Sequence, residues 1–529
     1  MANSTPHLQH LDTLAQHSDV YKDSQRVAII DMGSNSFRLI VVEYVAHLSY
    51  RMVDEVAESV RLAEGMTETN ILRAAAMDRA VKVVQIYAAF CKAFGITDII
   101  AVGTSAIRDA KNQQPFLARL EAETGIKVRV LSGKEEAYYG YLAAVDSTTL
   151  ENGFVTDLGG GSIQVSRVVK RKIRESISLP LGAVRMTERF LKSDPVTGNE
   201  MDNLRDFLEK QFKALGWFKC KRGMTLVSEG GNVRMMGRMA QKMDNYPLDM
   251  LHGYQLSLDQ IKTIRNLVAE RDVNDRKKLP GMKPERADIA LGGVMVMHEA
   301  MRLSGFDALT ISEQGVRGGL FYERFLAGNA PLFEDVRQAS VLNLAHIHRF
   351  QEQHAEHIAH LTLSMFDQLP KNIHDCGPGE RELLWAASML HDIGVSVDYT
   401  DHHKHSEYLI LNAGLPGYSH REIALIALLV RYHRKGNPTP GDLAPLLNKD
   451  DDRRLVQLCA LLRLAEQIDR SRDGVARDVK LTTGSNWAQL ELRVRGDGQV
   501  ALWSVERHRD IFEQAFGLQL EVTLTPVRV

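Results

Sequence analysis

The chain has 529 residues, which is too long for one hydrophobic core and predicts two to four domains. Hydrophobic residues make up 44% and charged residues 25%, as in ordinary globular proteins, and a formal net charge of −2 provides no general basic field for nucleic acid. Four widely separated cysteines without a CxxC pair argue against a disulfide scaffold and a cysteine zinc site.

The hydropathy of the sequence does not suggest a membrane protein. The first 25 residues have no apolar signal core, and the longest apolar runs, such as Ala424 to Val430, are far too short to span a bilayer. We therefore expect a cytoplasmic protein with no membrane or nucleic-acid partner.

The predicted secondary structure alternates between strands and helices after a flexible polar tail at residues 1–24. Apolar runs predict strands at 26–31, 37–44, 98–103 and 127–131, and helical spacing predicts helices at 74–94 and 135–145. Such alternation is typical of an α/β domain.

A strand–turn–strand motif occurs twice. The segments Asp31-Met-Gly-Ser-Asn-Ser36 and Asp157-Leu-Gly-Gly-Gly-Ser162 both read Asp-x-Gly-small-small-Ser between apolar runs, and they start 126 residues apart. Because that spacing is about one domain, the repeat predicts two similar α/β lobes that face each other. The predicted limits are 25–148 for lobe I and 149–325 for lobe II.

The character of the chain changes near residue 326. Residues 326–485 are helical in pattern and rich in histidine, with breaks at 370–378, 414–417 and 436–441. Residues 486–529 alternate like strands around a short helix. We therefore predict a helical domain at 326–485 and a small α/β segment at 486–529.

The repeated motif has a chemistry suited to phosphate. Glycine lets backbone N–H groups approach an anion closely, and serine or asparagine adds further donors. An aspartate at the end of a strand can hold Mg²⁺, although a single aspartate is equally a turn cap. Two such hairpins, one from each lobe, would hold a phosphoanhydride between them.

The ordered motifs of residues 25–325 resemble the exopolyphosphatase and guanosine pentaphosphate phosphohydrolase (Ppx/GppA) family of the actin and sugar-kinase superfamily. The matching segments are 30–38, 103–108, 132–137, 157–162, 179–185, 279–288 and 312–320. The resemblance implies an α/β fold with two actin-like (ribonuclease H-like) lobes and an interlobe cleft. It also implies a homodimer and Mg²⁺-assisted hydrolysis of terminal phosphate from inorganic polyphosphate or guanosine pentaphosphate.

The resemblance also implies roles for individual residues. Glu136 matches the base for the attacking water, Arg108 matches an arginine that contacts phosphate, and Asp31 and Asp157 match the metal-associated aspartates. Taken alone, Glu136 would be a solvated helix residue and Arg108 half of a surface ion pair. The implied phosphate-binding residues are Gly33, Ser34, Asn35, Ser36, Gly159, Gly160, Gly161, Ser162, Gly230 and Gly231.

Two positions depart from the family pattern. The second loop, which usually continues Ser-Thr-Glu, ends in Gln164, and this side chain lacks the negative charge that favours metal binding. A third loop, usually Gly-Thr-Gly-Gly-Thr, here contains Glu229. Either Glu229 restores the missing carboxylate, or the protein is a catalytically weakened regulatory protein that binds nucleotide or polyphosphate.

Ionisable residues of the helical segment fall on apolar faces. His354 shares a face with Ile358 and Leu361, Asp469 shares a face with Leu462, and His391 is adjacent to an aspartate. Because a buried carboxylate needs a partner, these positions predict a convergence of side chains from three helices.

The same pattern resembles the HD phosphohydrolase domain. This resemblance implies a second divalent metal held by His354, His391, Asp392 and Asp469. It equally allows a region that only forms the wall of a substrate channel and a dimer surface. Further candidate ligands are His402, His403, His405, His420 and His433.

The remaining alternatives belong to other functional classes. A kinase-like nucleotide switch would need an acceptor site and an aspartate base, and the Glu-Glu-Ala motif at 135–137 argues against it. A metal-dependent HD phosphohydrolase is the other alternative. The sequence leaves the choice between polyphosphate and guanosine pentaphosphate open.

Overall fold

The computed structural model describes residues 24–327 and 331–527, so nearly all of the predicted tail at 1–24 lies outside the described residues. The chain divides into two compact units, one that ends at Val336 and one that begins at Arg337. In the first unit, the Phe333 N–H donates to Asp146 and its carbonyl accepts from Arg171. These bonds hold the chain to the first unit beyond the predicted lobe limit at residue 325.

Lobe I contains a five-stranded sheet in the order β3-β2-β1-β4-β5. The first three strands are antiparallel, while β4 and β5 run parallel to β1. Helices α1 and α3 pack on one face of this sheet, and a helix of lobe II, given below, packs on the other. The elements are β1 (Gln25–Met32), β2 (Phe37–Val45), β3 (Ser49–Glu58), α1 (Ala74–Ala93), β4 (Asp98–Gly103), α2 (Ser105–Arg108), α3 (Gln113–Thr124), β5 (Val128–Val130) and α4 (Gly133–Val145).

Lobe II contains a six-stranded sheet in the order β10-β11-β9-β6-β7-β8. One face is covered by α6, α7, α8 and α10. The elements are β6 (Asn152–Leu158), β7 (Ile163–Val169), β8 (Lys172–Leu179), α5 (Ala183–Phe190), α6 (Gly198–Lys213), β9 (Thr225–Glu229), α7 (Gly231–Met243), β10 (Gln255–Ser257), α8 (Leu258–Ala269), α9 (Val273–Arg276), a 3-10 turn (Pro284–Arg286), α10 (Ala290–Ser304), β11 (Ala308–Ile311) and α11 (Val316–Leu326).

Helices α4 and α11 join the two lobes in one shared core. This core contains Ile29 and Ile40 from the first sheet, Val155 and Val227 from the second, and aromatic residues such as Phe321 from α11. Because α11 packs against β1 and β2, α4 packs against the sheet of lobe II, and the two helices pack against each other, the strand ends of the two lobes are held in a defined relation.

The predicted hairpins form at corresponding ends of the two sheets. Strands β1 and β2 pair Asp31 with Arg38 around the turn 33–36. Strands β6 and β7 pair Asp157 with Gln164 around the turn 159–162. The strand–turn–strand prediction is confirmed in both copies.

The second unit consists of helices followed by a small sheet. Its helices are α12 (Val336–Ile347), α13 (Glu352–Gln368), α14 (Pro378–Leu390), α15 (His402–Ala413), α16 (His420–Tyr432) and α17 (Asp451–Ile468), with 3-10 turns at Ile393–Ser396 and Gly441–Leu446. The sheet contains β12 (Ala476–Thr483), β13 (Trp487–Val494) and β14 (Gln519–Pro526), and α18 (Gln499–Glu506) and α19 (Asp510–Phe516) connect its last two strands.

The small sheet begins earlier than the sequence pattern suggested. Strand β12 lies within the stretch predicted as helical, and it pairs antiparallel with β13, which pairs parallel with β14. Alternate residues Val479 and Leu481 are buried, as expected for a strand with one covered face. Within the described residues, no helix is long and apolar enough to cross a bilayer.

Candidate active site

The two predicted phosphate loops touch each other. A side chain added at Gly161 would lie 2.6 Å from Ser105 Oγ and 2.8 Å from Ser34 Oγ, and one added at Gly160 would lie 3.2 Å from Ser34 Cβ. The hydroxyls of Ser34 and Ser105 are 2.9 Å apart and share a hydrogen bond. The absence of side chains at Gly160 and Gly161 therefore permits the loop of lobe II to approach the loop of lobe I.

Each loop is supported by backbone hydrogen bonds from a neighbouring segment. In lobe I, the Asn35 carbonyl accepts from the Arg61 N–H and the Ser34 carbonyl accepts from the Ala63 N–H, at 2.7 and 2.9 Å. In lobe II, the Gly159 N–H donates to the Ser162 carbonyl, which closes the turn. All the predicted loop residues, Gly33, Ser34, Asn35, Ser36, Gly159, Gly160, Gly161 and Ser162, thus lie on two adjoining turns.

A small pocket opens where the loops meet. Ser34, Gly160 and Gly161 line it together with Thr67 and Arg185. The Arg185 guanidinium is 2.9 Å from Asp109, and Asp109 also pairs with Arg108. A network of alternating charges therefore connects the pocket to one of the predicted catalytic residues.

Glu136 is placed by the first turn of α4. The helix begins with a capping box in which Ser132 and Glu135 satisfy each other's backbone N–H groups. This start leaves the Glu136 side chain 7% exposed, with its carboxylate 2.7 Å from the Arg108 guanidinium. The predicted catalytic pair is thus a buried ion pair.

The protonation of Glu136 is balanced near neutrality. Burial raises the pKa of Glu136 to about 7, the hydrogen bond from Arg108 opposes this rise, and the negative charges of Asp157 and Asp31 add to it. A carboxyl group that gains and loses a proton near neutral pH is well suited to general base catalysis.

Three further carboxylates lie at the ends of strands, and we call them the carboxylate cluster: Asp31 on β1 of lobe I, and Asp157 and Glu229 on the adjacent strands β6 and β9 of lobe II. Burial raises the pKa of Asp31, and burial with repulsion from Asp31 raises the pKa of Asp157 to about 6 despite nearby Arg234. Burial first and then the charge of Asp157 raise the pKa of Glu229 well above its usual value. The cluster therefore holds more negative charge than its neighbours compensate.

Asp31 and Asp157 have the donor chemistry for a divalent cation, but Asp31, Asp157 and Glu229 together are not among the groups of described residues whose ligand atoms converge. Asp31 Oδ1 and both carboxylate oxygens of Glu229 are buried without a hydrogen-bond partner. Mg²⁺ prefers carboxylate oxygens and shares its remaining positions with water and phosphate. The ligand chemistry of Asp31 and Asp157 thus suits the predicted metal.

Four arginines lie near the carboxylates, and we call them the arginine cluster: Arg38, Arg234, Arg286 and Arg317. Burial lowers the pKa of Arg38 to about 10, and repulsion from Arg234 and Arg317 adds to the effect. Burial and then the charge of Arg38 lower the pKa of Arg286 to about 10. Buried cations that repel one another are stabilised by a bound anion.

The sequence pattern does not indicate that these four arginines cluster. Arg38, Arg286 and Arg317 all lie within the motifs that carry the family resemblance, and this position is the sequence feature that could have indicated a role at the site. Arg234 lies outside those motifs, in the first turn of α7. Its proximity to the others results from packing between distant segments.

The third loop lies against both clusters. Gly230 has φ +102°, and a side chain there would overlap the Leu158 carbonyl and lie 3.1 Å from Asp157 Oδ1. A side chain at Gly231 would overlap the Arg286 guanidinium. Both predicted glycines therefore bring the N-terminus of α7 close to the charged groups.

Gln164 supports the second loop and has satisfied hydrogen bonds. Its amide donates to Ser162 Oγ at 2.9 Å and to Ser178 Oγ at 3.0 Å, and the side chain is 3% exposed. The neutral amide thus stabilises the loop through serines.

The second unit contains a separate histidine cluster. His354 and His391 approach Glu466 Oε2 with their Nε2 atoms, at 3.4 and 3.5 Å. His402 and His433 approach Asp392 Oδ1 with theirs, at 3.1 and 3.7 Å. The His391 Nε2 atom also lies 3.7 Å from Asp392 Oδ1, so the six residues form one continuous group.

The orientation of these rings follows from their outer hydrogen bonds. The Nδ1 atoms of His391, His402 and His433 each lie within 2.9 Å of a backbone carbonyl, and a carbonyl can only accept. Nδ1 must therefore carry the proton, and in a neutral ring Nε2 presents its lone pair to the cluster. Such outer bonds are the usual support of metal-ligating histidines.

Several inner atoms of the cluster have no hydrogen-bond partner. His354 Nε2, His391 Nε2, Asp392 Oδ1 and Glu466 Oε2 are all buried and unsatisfied. The Nε2 atoms of His402 and His433 face each other at 3.3 Å. Converging buried acceptors repel one another unless a cation lies between them.

Asp469 contacts the outer nitrogen of the His354 ring. Its Oδ2 atom accepts from His354 Nδ1 at 2.7 Å and its Oδ1 atom accepts from the Gly474 N–H at 3.0 Å. Glu466, one helical turn earlier, faces the inner nitrogen of the same ring. These contacts favour an orienting role for Asp469, and its role as a direct ligand stays a prediction.

The other candidate histidines differ in their placement. His402 and His433 belong to the two groups whose ligand atoms converge, while His403, His405 and His420 belong to neither. Burial lowers the pKa of His433 to about 3, so this ring is neutral at physiological pH and available as a ligand.

Comparison with known proteins agrees with these observations. The sequence model of the Ppx/GppA phosphatase family matches residues 40–327, and that of Ppx/GppA phosphatase domain III matches residues 336–501. The chain belongs to the Ppx/GppA phosphatase family. It is therefore a phosphoanhydride hydrolase.

Solved structures are similar to the lobes of this Ppx/GppA protein. The family member from Aquifex aeolicus is 32% identical, with a TM-score of 0.50, and the match covers 58% of this chain and 99% of that one. An exopolyphosphatase-like protein is 26% identical, with a TM-score of 0.53 and 58% and 100% of the two chains covered. An exopolyphosphatase from Cytophaga hutchinsonii is 23% identical, with a TM-score of 0.53 and 57% and 98% covered, which shows the fold alone.

The predicted fold class is confirmed. The α/β actin-like lobes agree with these neighbours, and the helical region followed by a small α/β segment agrees with the observed elements. The HD-like label of the helical region stays a prediction.

Proposed function

We propose that the interlobe cleft of this enzyme hydrolyses the terminal phosphoanhydride of inorganic polyphosphate, guanosine pentaphosphate or both. The observation that carries the proposal is the position of Glu136, a buried carboxyl group beside the charges of Asp31 and Asp157. These two aspartates end the strands that lead into the phosphate loops.

The loops bind the terminal phosphate in this proposal. Backbone N–H groups and the hydroxyls of Ser34 and Ser162 donate to the phosphate oxygens, and the pocket beside Gly160 and Gly161 admits the anion. Asp31 and Asp157 would hold Mg²⁺, which would supply positive charge to the phosphate.

Glu136 performs the proton transfer. Its carboxylate accepts a proton from water, the water oxygen bonds to the terminal phosphorus, and the phosphoanhydride P–O bond breaks. The products are orthophosphate and a chain one phosphate shorter. Arg108 holds the Glu136 carboxylate in position at 2.7 Å, which matters because phosphoryl transfer depends mainly on positioning and charge stabilisation.

The arginine cluster binds the rest of the polyanion. Arg38, Arg234 and Arg317 influence one another's charge and lie near Asp31, so they surround the proposed reaction centre. Glu55 lies 2.9 Å from Arg317 and 3.7 Å from Arg38, and a chain of phosphates supplies further negative charge to the cluster. This arrangement suits inorganic polyphosphate and the phosphates of guanosine pentaphosphate alike.

The test measures orthophosphate release from long-chain polyphosphate and from guanosine pentaphosphate in parallel assays. We expect release from at least one substrate, and we expect Glu136→Gln to lower kcat by about 100- to 10,000-fold. Retained substrate binding without hydrolysis in the wild type would instead support the alternative of a weakened regulatory protein. Unchanged kcat in Glu136→Gln would refute the proposed base.

We also propose that the histidine cluster of the second unit binds a divalent transition metal. The observation that supports this proposal is that buried atoms of His354, His391, Asp392 and Glu466 point into the cluster and have no hydrogen-bond partner. Mixed imidazole and carboxylate ligands favour metals such as Zn²⁺, Mn²⁺ or Fe²⁺ over Mg²⁺.

Elemental analysis of purified protein tests this second proposal. We expect stoichiometric metal in the wild type and none in His391→Ala, with orthophosphate release by the lobes retained. A metal-free wild type that also fails to take up Mn²⁺ or Zn²⁺ contradicts it. Loss of a metal-dependent phosphodiesterase activity in the same variant would reveal a separate hydrolytic function.

Other properties stay predictions from the resemblance. These are the homodimer, the cytoplasmic location, the absence of a nucleic-acid partner and the predicted domain limits. Sedimentation velocity at two protein concentrations tests the homodimer directly.

A further inference from the structure

We propose that Lys283 and Arg238 form a second anion-binding site, called the distal site, for phosphates of the substrate that lie beyond those next to the scissile bond. The distal site rests on the proposed function, because its ligand is the substrate of the same cleft. It makes the length of a linear phosphate chain the feature that determines affinity.

A row of cations begins at the N-terminus of α7, beside the proposed reaction centre. A side chain added at Gly230 would lie 3.1 Å from Asp157 Oδ1, and one added at Gly231 would overlap the Arg286 guanidinium. Arg286 therefore lies at the end of the row that is next to Asp157.

The segment that contains Lys283 runs along α7. Gly281 has φ +80°, and a side chain there would lie 2.6 Å from the backbone of Arg238. Residues 231 and 238 are about 10 Å apart along a helix, at about 1.5 Å per residue. The segment 281–286 thus follows α7 from Arg238 back to its N-terminus, and Lys283 lies between these two contacts.

Local geometry directs the cations of each element to one side. Pro284–Arg286 form a 3-10 turn, and the Arg286 N–H donates to the Lys283 carbonyl at 2.9 Å. Side chains three residues apart in such a turn are eclipsed, so Lys283 and Arg286 project together. Arg234 and Arg238 are four residues apart on α7 and share a face of the helix.

The charges of the two elements act on one another. Burial lowers the pKa of Lys283, repulsion from Arg238 adds to the decrease, and Glu285 opposes it. The charges of Arg38 and Arg286 lower this pKa as well. Because Arg38 and Arg286 belong to the arginine cluster, Lys283 and Arg238 extend that cluster along α7.

The cations along α7 lack carboxylate partners. Among the described residues, no carboxylate lies within salt-bridge distance of four of them, all at least partly buried: Arg234, Arg238, Lys283 and Arg286. The nearby Asp288 carboxylate pairs instead with Arg61, at 2.8 Å. Partly buried cations that repel one another are stabilised by a bound anion.

A linear polyphosphate matches the row better than a short anion does. Its charges repeat in one direction, as the cations do along α7, so phosphates near the scissile bond meet the arginine cluster and later phosphates meet the distal site. The triphosphate of guanosine pentaphosphate ends at a ribose, and tripolyphosphate ends at its last phosphate. Neither presents a long continuous run of phosphates, so the distal site favours inorganic polyphosphate.

Isothermal titration tests the distal site without relying on catalysis. The full chain carries Glu136→Gln throughout to slow hydrolysis, and each variant is titrated with long-chain polyphosphate and with tripolyphosphate at constant Mg²⁺. An orthophosphate assay after each titration checks that the ligand is intact. We expect Lys283→Gln and Arg238→Gln each to weaken binding of the long chain by about 10-fold and to leave binding of tripolyphosphate unchanged. Lys283→Arg keeps the charge and should keep the affinity.

A charge-matched control accompanies the double variant Lys283→Gln/Arg238→Gln. Lys221→Gln/Arg222→Gln removes the same charge from the same lobe, but these two residues are exposed and precede β9, whose other end carries Glu229. The control should bind both ligands like the parent protein. The affinity of the double variant for the long chain should fall less steeply between about 50 and 200 mM salt, because two charge contacts are absent.

The two chain lengths separate the outcomes. Unchanged affinity of the double variant for long-chain polyphosphate overturns the distal site. An equal loss for both ligands also overturns it, because the two residues would then act at the scissile bond or on the fold.

Failure of the distal site differs from failure of the proposed function. Hydrolysis of guanosine pentaphosphate by a wild type that does not bind polyphosphate refutes the distal site alone. Absence of hydrolysis of both substrates refutes the proposed function, while a loss of binding confined to the long chain would still support the distal site.

Discussion

The pH dependence of hydrolysis should report the ionisation of Glu136, because the proposed base must be a carboxylate to accept a proton. Burial, opposed by Arg108, raises the pKa of Glu136 to about 7. About one tenth of the enzyme is then ionised at pH 6 and about nine tenths at pH 8. We expect kcat/KM to rise roughly tenfold between these values, with an ascending limb centred near pH 7.

The variant Arg108→Gln tests the cause of this pKa. Arg108 lies 2.7 Å from the Glu136 carboxylate and favours its charged form, so loss of the guanidinium should raise the pKa of Glu136 further. A neighbouring arginine changes a carboxyl pKa by about 1 to 3 units, and the ascending limb should move to higher pH by about that amount. Arg108→Lys keeps the positive charge and should leave the limb close to that of the wild type.

Initial rates of orthophosphate release from pH 5.5 to 9.5, at constant ionic strength, measure the limb. The terminal phosphate of the substrate itself titrates near about pH 6, so a limb in the wild type alone is not decisive. The pKa of the substrate phosphate is the same whichever enzyme variant is assayed. The same midpoint in the wild type and in Arg108→Gln would therefore refute the assignment of the limb to Glu136.

Three other changes probe the loops, the arginine cluster and the histidine cluster. Gly161→Ala places a methyl group between two serine hydroxyls, so kcat/KM should fall by about 100-fold. Gly198→Ala is the control, because a methyl group there meets only open space and should have no effect on kcat/KM. Arg317→Gln should raise KM for polyphosphate by about 10- to 100-fold and should make KM less dependent on salt. Saturation curves at about 50 and 200 mM salt measure both effects, and an unchanged KM would exclude contact between Arg317 and the substrate. Glu466→Gln should abolish metal retention, while Asp469→Asn should weaken it by about 10- to 100-fold. Metal content after dialysis measures both, and equal losses would contradict the separation into ligand and orienting partner.

The local signals in the sequence were strong where a short segment determines its own structure. The turns at 33–36 and 159–162 combine glycine with flanking apolar runs, and both hairpins formed as predicted. Helix α4 begins at a capping box of Ser132 and Glu135, which the sequence contains in full. These features predict the location of the loops and of Glu136 without tertiary information.

The end of α17 shows where helical periodicity stops being informative. Glu466 and Asp469 are three residues apart at the end of α17, so both lie on its inward face. Helical spacing predicts that each is buried, but it cannot show which nitrogen of His354 each one meets. Glu466 faces Nε2 and Asp469 faces Nδ1, and only the packing of α13 against α17 separates these roles.

The charge arrangement of the cleft required long-range packing for the same reason. The carboxylates end strands β1, β6 and β9, whereas the arginines come from the start of β2, from the first turns of α7 and α11 and from the turn at 284–286. Three of these arginines lie in motifs of the family, but no motif shows that they approach one another or Arg234. Their mutual repulsion becomes visible only when both lobes are assembled.

The two clusters have opposite requirements, and this explains how the cleft selects its ligands. The carboxylate cluster has unsatisfied oxygens and is stabilised by a cation, whereas the arginine cluster holds repelling cations and is stabilised by an anion. A lone phosphate ion meets one requirement, and Mg²⁺ alone meets the other. A phosphate chain that carries Mg²⁺ at its end satisfies both at once, so substrate and cation should bind with positive cooperativity. The charges of Asp157 and Asp31 raise the pKa of Glu136, so a cation bound at these aspartates should favour the ionised base.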